Sequence, residues 1–546
     1  MKRRLNRYAT LLIAIIGLCT TTRAVVWQWA VDTGVKKHGK AFLWVPPECR
    51  QVRGLIVGQQ VILEKAVFED PQIRAVAAQQ DLAILFIVPG AIAYDDFGPD
   101  GRGEATYLRI VSELAEVSGY AEIATAPFLT IGHSGGALPA WRLAYWKPER
   151  CFGVIGLHAA PIDPPSHDPQ ARLEGVPLLV ISGQYESWSK DAARSIEHHW
   201  RWCRGDILAL RSRWDRALAS VLVQPGAGHF NWDDDLARYV ALFIRKAAQM
   251  RLPNDGSSAL REIPLASGWL SDHTLVSPGR YPPAPYRTYA GDRGLAFWHL
   301  DEELAKVNEV YGSRDHGKKL QLVSFVEDGE PLEPAWIQNI AFSPVEGDGM
   351  TVRVEGGFVK ETPAVFAVES GMRPLSHADG PVCFRLIGGW SGGGEQLGPN
   401  IFRIKFDRFM YARRRPGSLM IMAWHPGDER YGYAEQSCSI NFPYEIREGV
   451  PQLITFASIP DQPVGAGPIA LNASADSGLP VEFFVVKGPA VIREGQLELT
   501  GIPPRTNLPV EVTVAACQWG RTVAPLVQSA AFVERSFRVG TAAEMD

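Results

Sequence analysis

A serine flanked by glycines is the clearest candidate for chemistry in the sequence. Residues 132–136 read Gly-His-Ser-Gly-Gly and fit the pattern G-x-S-x-G, whose glycines allow a tight turn from a strand into a helix and hold the serine hydroxyl clear of the sheet. An apolar run over residues 127–131 precedes the motif, and residues 137–144 can form a helix after it. The start of that helix directs free N–H groups towards negative charge developing beside Ser134. We predict that Ser134 is a nucleophile.

The same pattern occurs a second time at residues 389–393, around Ser391. Residues 394–399 follow it and contain glycines and a proline, so they cannot form the helix that the turn requires. We predict that Ser391 is a loop residue.

His229 is the predicted general base. A serine hydroxyl is a weak nucleophile until a base removes its proton. His229 lies in the segment Gly-Ala-Gly-His-Phe, between the last predicted strand, 219–223, and the last predicted helix, which begins near Asn231. The alternative role for this histidine is to cap or shape the turn.

Glu186 is predicted to orient the base, because a catalytic imidazole needs a carboxylate that fixes its tautomer and stabilises its charged form. Glu186 lies in the turn after the predicted strand 177–181. The resulting chain order of serine, acid and histidine is one that accompanies this serine motif. Asp191 and Asp206 are the alternative acids, and a solvated surface position is the alternative for Glu186.

The oxyanion formed during attack on a carbonyl needs two N–H donors. We predict that the backbone of Gly135 supplies one and that the loop after the third strand, Gly58-Gln59-Gln60, supplies the other. Gln60 is the first choice within that loop and Gln59 the second.

Broad aromatic side chains are frequent between the predicted acid and base, and flat rings can stack on sugars or aryl groups. Trp188 and Trp232 lie nearest in sequence to Glu186 and His229, so we predict that they line the substrate site. Core packing is the alternative for both and the expectation for the other tryptophans of this stretch, which are Trp200, Trp202 and Trp214.

Strands and helices alternate over residues 27–251, which predicts an α/β fold with a sheet between layers of helices. Several strands are nearly continuous apolar runs, as expected when both faces are buried. The predicted strands span residues 25–31, 40–45, 53–57, 82–88, 127–131, 152–157, 177–181 and 219–223. Aspartates at 233–235 begin the last helix and complement its dipole. A metal site there is the alternative, and we predict none.

The chain of 546 residues is longer than one hydrophobic core usually covers. Its best break is the turn-rich segment 253–258, which has no apolar periodicity. We predict an α/β catalytic domain over 25–252, a β-rich accessory domain over 260–447, and a third domain over 451–540. Short β-type stretches in the third domain suit an immunoglobulin-like sandwich.

The first 24 residues predict an export signal. Four basic residues precede an apolar run over 11–18, and Thr-Arg-Ala follows at 22–24. A membrane anchor needs a longer run, and lipidation at Cys19 is disfavoured because Leu18 stands where a small residue is usual. We therefore expect an exported protein, periplasmic or extracellular, without stable membrane insertion after cleavage. Six cysteines remain, and disulfides between them are permitted in that compartment.

The charge pattern excludes one class of partner. The net charge is −5, without long runs of one sign, so no electrostatic footprint for nucleic acid exists and we expect no nucleic-acid partner.

Residues 27–251 resemble the α/β-hydrolase superfamily, and more narrowly exported bacterial esterases and polyhydroxybutyrate depolymerases. The resemblance is based on Gln59-Gln60 followed by Leu63-Glu64, the motif around Ser134, and the segment Gly-Gln-Tyr-Glu at 183–186. It implies hydrolysis of a carboxylic ester through an acyl-enzyme, without a metal or organic cofactor. The expected partner is a small or polymeric ester, with an esterified polysaccharide and a polyester as candidates.

Two other functions compete with an esterase. A serine peptidase would use the same three residues but should also show groups that bind a peptide's backbone or amino terminus. A non-catalytic carbohydrate-binding or adhesive protein suits the β-rich half but does not explain the three residues in order. Residues 451–539 are similar to a bacterial Ig-like repeat, on Ile454-Thr455-Phe456 and the stretches 460–465 and 477–481; such modules are spacers or adhesive units.

Overall fold

The computed structural model describes residues 25–35, 39–90, 97–98, 101–188, 195–253, 259–275, 279–388, 393–411 and 417–541. The predicted export signal at 1–24, the alternative acid Asp191 and the serine Ser391 lie outside these ranges. No helix within them is long and apolar enough to cross a membrane. The six cysteines they contain are all free thiols.

An eight-stranded sheet forms the N-terminal part, with strand order β1-β2-β4-β3-β5-β6-β7-β8. β2 pairs antiparallel with both β1 and β4, and the remaining neighbours in the sheet, from β4 through β3 to β8, pair in parallel. The strands are Trp29–Asp32, Lys40–Trp44, Gly54–Gln59, Leu82–Val88, Phe128–His133, Cys151–Leu157, Pro177–Gly183 and Leu218–Gln224. The α/β class predicted for this region is therefore confirmed.

Burial explains why these segments are strands. Every residue of β4, β6 and β7 is buried, because helices cover both faces of the sheet. The described α-helices of the chain are α1 Glu64–Glu69, α2 Pro71–Gln79, α3 Arg102–Ser118, α4 Ala137–Trp146, α5 His198–Arg213, α6 Asp234–Arg251, α7 Glu302–Ser313, α8 Ala364–Ser370 and α9 Arg408–Tyr411.

Two predicted boundaries differ from the structure. The first strand begins at Trp29 instead of residue 25, because Trp27 forms a bridge with Gly488 of the C-terminal part and buries its ring. The last helix begins at Asp234 instead of near Asn231, because the carboxylate of Asp233 accepts the N–H of Leu236 and caps the helix. Asp233 is thereby used as a cap, as expected for a charged first turn.

Strands dominate the middle region, in agreement with its predicted β-rich character. They form small separate sheets. These strands are β9 Trp269–Ser271, β10 Ala284–Pro285, β11 Phe297–His299, β12 Val323–Glu327, β13 Glu330–Pro331, β14 Gln338–Ile340, β15 Thr351–Arg353, β16 Gly356–Phe358, β17 Cys383–Gly388, β18 Gly394–Gly398, β19 Ile401–Ile404, β20 Gly417–His425 and β21 Ala434–Phe442.

The C-terminal part is also built from short strands, arranged in a four-stranded, a three-stranded and a two-stranded sheet. Its assignment as Ig-like stays a prediction. The strands are β22 Ile454–Phe456, β23 Gln462–Pro463, β24 Ile469–Ala470, β25 Ala473–Ala475, β26 Glu482–Lys487, β27 Ala490–Arg493, β28 Gln496–Leu499, β29 Val510–Cys517 and β30 Val533–Gly540.

The hydrophobic cores cross the boundaries predicted between domains. Leu270, Trp298 and Leu304, all beyond the break at 253–258, belong to the same buried cluster as α6. Likewise Phe484 of β26 and Trp519 pack into the core of the middle region. The middle region therefore packs firmly against the α/β part through a shared buried core.

Candidate active site

Ser134 lies at the point where β5 turns into α4. Its φ is +51°, a left-handed conformation that is rare for a residue with a side chain and that marks functional turns. Gly132 is required there, since a Cβ at this position would collide with the carbonyl of Gly136. Ser134 is partly exposed and Gly135 exposed. The serine is thus presented on a strained turn at the surface of the sheet, as predicted.

His229 lies between β8 and α6, directly beside this turn. Its Nδ1 is 2.8 Å from Oε2 of Glu186, so Nδ1–H donates to the carboxylate and Nε2 keeps its lone pair. The ring of His133, the neighbour of Ser134, is 4.9 Å from the ring of His229, and its Nε2 donates to the backbone oxygen of His229 over 2.9 Å. The structure therefore brings the histidine loop against the serine turn.

The second ring nitrogen of His229, Nε2, makes no hydrogen bond with the residues that the structure describes. Nε2 is buried and lacks a hydrogen-bond partner among the described residues, so it is not bonded to the Ser134 hydroxyl in this conformation. Catalytic hydrogen bonds of this kind are often long before substrate binds and shorten in the complex. Burial lowers the pKa of His229, and its bond to Glu186 offsets part of that effect. The imidazole is consequently neutral at pH 7 and able to accept a proton.

Glu186 is the acid that contacts the histidine. Its side chain is 1% exposed, and its Oε1 accepts hydrogen bonds from the Ser182 hydroxyl and the Gly183 N–H. Burial alone would raise the pKa of Glu186, but His158, His199 and the hydrogen bonds hold it well below its usual range. Glu186 is therefore an anion at pH 7. The alternative acid Asp206 lies on α5 and makes no described contact with His229.

The predicted oxyanion donor Gln60 needs correction. Its backbone N–H donates to the carbonyl of Ile87 over 2.8 Å, since the pairing between β3 and β4 continues one residue beyond the end of β3. Gln59 is the last residue of β3 itself. Gly135 stays the N–H donor nearest to the serine.

A buried carboxylate, Glu64, ties the oxyanion loop to the serine turn. Its Oε2 accepts the N–H groups of Val61 and Ile62 at 2.8 and 2.9 Å, and its Oε1 accepts the N–H of His133 at 2.8 Å. Burial raises the pKa of Glu64 to about 7, although those backbone hydrogen bonds oppose the rise. The N–H groups of Val61 and Ile62 are therefore bonded to Glu64. In the sequence, Glu64 stands out only as part of the family resemblance.

The middle region makes further contacts with the loop that bears His229, and no sequence motif predicted them. The ring of Trp336 lies 5.3 Å from His229 and 5.1 Å from Phe230. Oε1 of Glu435, on β21, accepts the N–H of Gly228 over 2.8 Å. These residues are more than a hundred positions from the histidine along the chain, and only tertiary packing brings them together.

A small cavity of about 20 Å³ opens beside His229, room for about one water molecule. Ser134 is not among its lining residues, so the role of Trp188 in a substrate site stays a prediction, although Trp188 lines this cavity. Trp232 does not, because its ring is nearly buried and its Nε1 donates to Asp70 over 3.1 Å. Five of its fifteen lining residues carry Phe, Tyr or Trp rings, and the wall comes from both the α/β part and the middle region; these five are Tyr185, Trp188, Phe230, Trp336 and Phe366.

One group of side chains has the composition of a metal site. Donor atoms of His158, Glu186 and His229 all lie within 4.8 Å of one another. Hydrogen bonds account for this proximity, since Nδ1 of each histidine is directed at a separate oxygen of the carboxylate, at 2.7 and 2.8 Å. The chemistry available is that of a nucleophile, a base and an orienting acid.

No protein-family model matches the chain, and no curated protein sequence does either. Solved structures similar to its N-terminal part include LpqC, a poly(3-hydroxybutyrate) depolymerase from Bordetella parapertussis, at 20% identity over 40% of this chain and 86% of that chain with a TM-score of 0.28. An S-formylglutathione hydrolase from Agrobacterium tumefaciens has 16% identity, 40% and 93% coverage and a TM-score of 0.29. The Bacillus cereus carboxylesterase has 13% identity over 38% of this chain and 94% of that chain, with a TM-score of 0.27. At such scores the likeness supports no statement on function, which depends on the site geometry.

Proposed function

We propose that the protein is a serine hydrolase of the α/β-hydrolase type that cleaves carboxylic esters. The observation that carries this proposal is the His229–Glu186 pair, which the contacts of His133 hold against the turn that keeps Ser134 at φ +51° between β5 and α4. A strained serine, a neutral imidazole and a buried carboxylate in this chain order suit acyl transfer.

The proposed reaction uses the side chains of Ser134, His229 and Glu186. Oγ of Ser134 attacks the ester carbonyl carbon while Nε2 of His229 takes the hydroxyl proton, and Glu186 stabilises the imidazolium that forms. The tetrahedral intermediate collapses, the C–O bond to the alcohol breaks, and the alcohol leaves with the proton from His229. Water then attacks the acyl-enzyme with the same base, releasing the acid and restoring Ser134.

The proposed substrate is an ester of a polysaccharide or a polyester, supported by the exposed ring of Trp336 beside His229, because the cavity itself holds only about one water molecule. Rings such as Trp188 and Trp336 can stack on a sugar or an aryl acyl group. Hydrolysis of acetylated and feruloylated polysaccharides, simple esters and peptides, measured side by side, tests the class of substrate. Cleavage of peptides without cleavage of esters would favour a peptidase instead.

A covalent label tests the nucleophile directly. A fluorophosphonate should add to Ser134, visible as a mass increase on the peptide that contains it, and hydrolysis of a short-chain aryl ester should be lost in Ser134→Ala. Ser112→Ala, on the exposed side of α3, is the matched control and should keep both label and activity. Full activity in Ser134→Ala would overturn the assignment.

Export and the Ig-like module belong to the same proposal and are supported by sequence patterns alone. The basic residues, the apolar run over 11–18 and the sequence Thr-Arg-Ala at 22–24 favour cleavage after residue 24. Sequencing the amino terminus of protein recovered from a bacterial periplasm or medium tests this, with Val25 as the expected first residue. An intact Met1 in the cell pellet would contradict it.

A further inference from the structure

His158 is a buried histidine that the reaction above does not use. It directly follows β6, and its φ of +50° is left-handed, which a side-chain-bearing residue adopts only when its surroundings enforce it. Its ring is completely buried and lies 5.8 Å from the ring of His229. A strained, buried, ionisable group at this distance from the base calls for a role.

Both ring nitrogens of His158 face groups that can only accept hydrogen bonds. Nδ1 is 2.7 Å from Oε1 of Glu186, an anion, and Nε2 is 3.1 Å from the backbone oxygen of Asn231. A neutral imidazole has a single N–H and could satisfy only one of them. The ring therefore carries two protons and a positive charge. Burial would lower the pKa of His158, yet its contacts with Glu186 raise it.

We propose that His158 is a positively charged positioning residue, which holds Glu186 and the loop after His229 in place and, by repulsion, keeps His229 unprotonated at lower pH. The inference rests on the proposed function, since it concerns the same base. Oε1 of Glu186 is held by His158, so Oε2 stays directed at His229. The bond to Asn231 fixes the backbone two residues beyond His229.

Other ionisable groups also face this pair, and none replaces the charge of His158. His133 is neutral, because burial holds its pKa well below the usual range. His199 is 3.4 Å from Glu186 but is partly exposed. Glu435 is paired with Arg385 at 3.3 Å. Among the residues that the structure describes, the ionisable groups around His158 and His229 are His133, Glu186, His199, Arg385 and Glu435, with Asp233 acting on the last two.

The size of the effect follows from the separation. Two unit charges 5.8 Å apart, in surroundings with an effective dielectric constant of about 20 to 40, change each other's proton affinity by roughly one to two pH units. Replacing His158 by a neutral residue should therefore move the acid limb of kcat/KM upwards by about that much. At a pH well below both limbs, kcat/KM divided by its own plateau should be about 10- to 100-fold lower in the variant than in wild type.

The test compares pH profiles of kcat/KM for an aryl acetate in wild type, His158→Gln, His158→Lys and His198→Gln. The acid limb should rise in His158→Gln, return towards wild type in His158→Lys, which restores the charge, and stay unchanged in His198→Gln, an exposed histidine on α5. A merely structural role for His158 would lower the plateau and leave the limb in place. That result would overturn the proposal.

The charge of His158 can also be measured on the wild-type protein, which requires neither a folded variant nor esterase activity. In ¹⁵N NMR spectra at pH 7, both ring nitrogens of His158 should have the shifts of an imidazolium, while His229 should have those of a neutral ring. A neutral His158 would refute the inference even if the protein proves to be an esterase. Conversely, failure to hydrolyse any ester would overturn the proposed function and leave the NMR result to decide on the charge.

Discussion

Replacement of Glu64 by glutamine should change how the stability of the protein depends on pH. Glu64 is fully buried beneath the serine turn, and burial raises its pKa from an ordinary 4.5 to about 7. A group whose pKa is raised in the folded state binds its proton more tightly there. Its stabilising contribution is therefore complete below about pH 4.5 and is lost as the pH rises through 7.

The magnitude follows from the two pKa values. The rise from 4.5 to about 7, at about 1.4 kcal/mol for each pKa unit, corresponds to about 3 kcal/mol. Wild type should lose this much unfolding free energy relative to Glu64→Gln between about pH 4 and pH 8, since glutamine does not titrate. In addition, Glu64→Gln should be less stable than wild type by a constant amount at every pH. Each buried N–H that loses its acceptor should lower the free energy of unfolding by about 1 to 3 kcal/mol.

The assay is urea unfolding, followed by tryptophan fluorescence, of both proteins at several pH values. The free energy of unfolding of wild type minus that of Glu64→Gln should fall by about 3 kcal/mol as the pH rises from about 4 to 8. Glu116→Gln, an exposed position on α3, should follow wild type throughout. Parallel curves for wild type and Glu64→Gln would show that Glu64 has no raised pKa and would refute the reasoning.

Three further changes test the site. Glu186→Gln should lower kcat by roughly 10³- to 10⁴-fold, because the imidazole loses its orienting anion; near-normal turnover would contradict the role of the acid. Gly132→Ala should prevent correct folding of the serine turn, since the new Cβ would meet the Gly136 carbonyl, as seen by loss of the fluorophosphonate label. Glu435→Ala should leave the Gly228 N–H unpaired and cost about 1 to 3 kcal/mol, measured by thermal unfolding, with exposed Glu116→Ala as its control.

Local sequence patterns were sufficient for the sheet and for the contact between Glu186 and His229, while the catalytic roles of Ser134, Glu186 and His229 stay predictions. The strands after which these residues lie are apolar runs of about the observed length, because strands buried on both faces must be apolar along their whole extent. Predicted residues 82–88 coincide with β4. The turn at Ser134 was predictable because only glycine fits at Gly132.

Contacts between distant segments were not predictable in this way. The N–H of Gln60 was expected at the oxyanion, but whether β3 pairs with β4 as far as Ile87 is decided by register, which the loop's own residues do not encode. The cap at Asp233 shifted the start of α6 for a similar reason, since several residues nearby could have served as the cap. His158 has no motif at all: its role depends on Glu186 and Asn231 lying on either side of one ring.

The middle region contributes several contacts to the proposed active site. Glu435 accepts a hydrogen bond from the loop that bears His229, and the tilted ring of Trp336 lies 5.3 Å from the imidazole. Arg385 donates to the side chain of Asn231 over 2.6 Å, on the same loop that His158 holds from the opposite side. Because the two regions also share a buried core, removing the middle region would expose apolar surface and release the histidine loop together. The catalytic α/β part should therefore lose its activity when it is produced alone, even where it still folds.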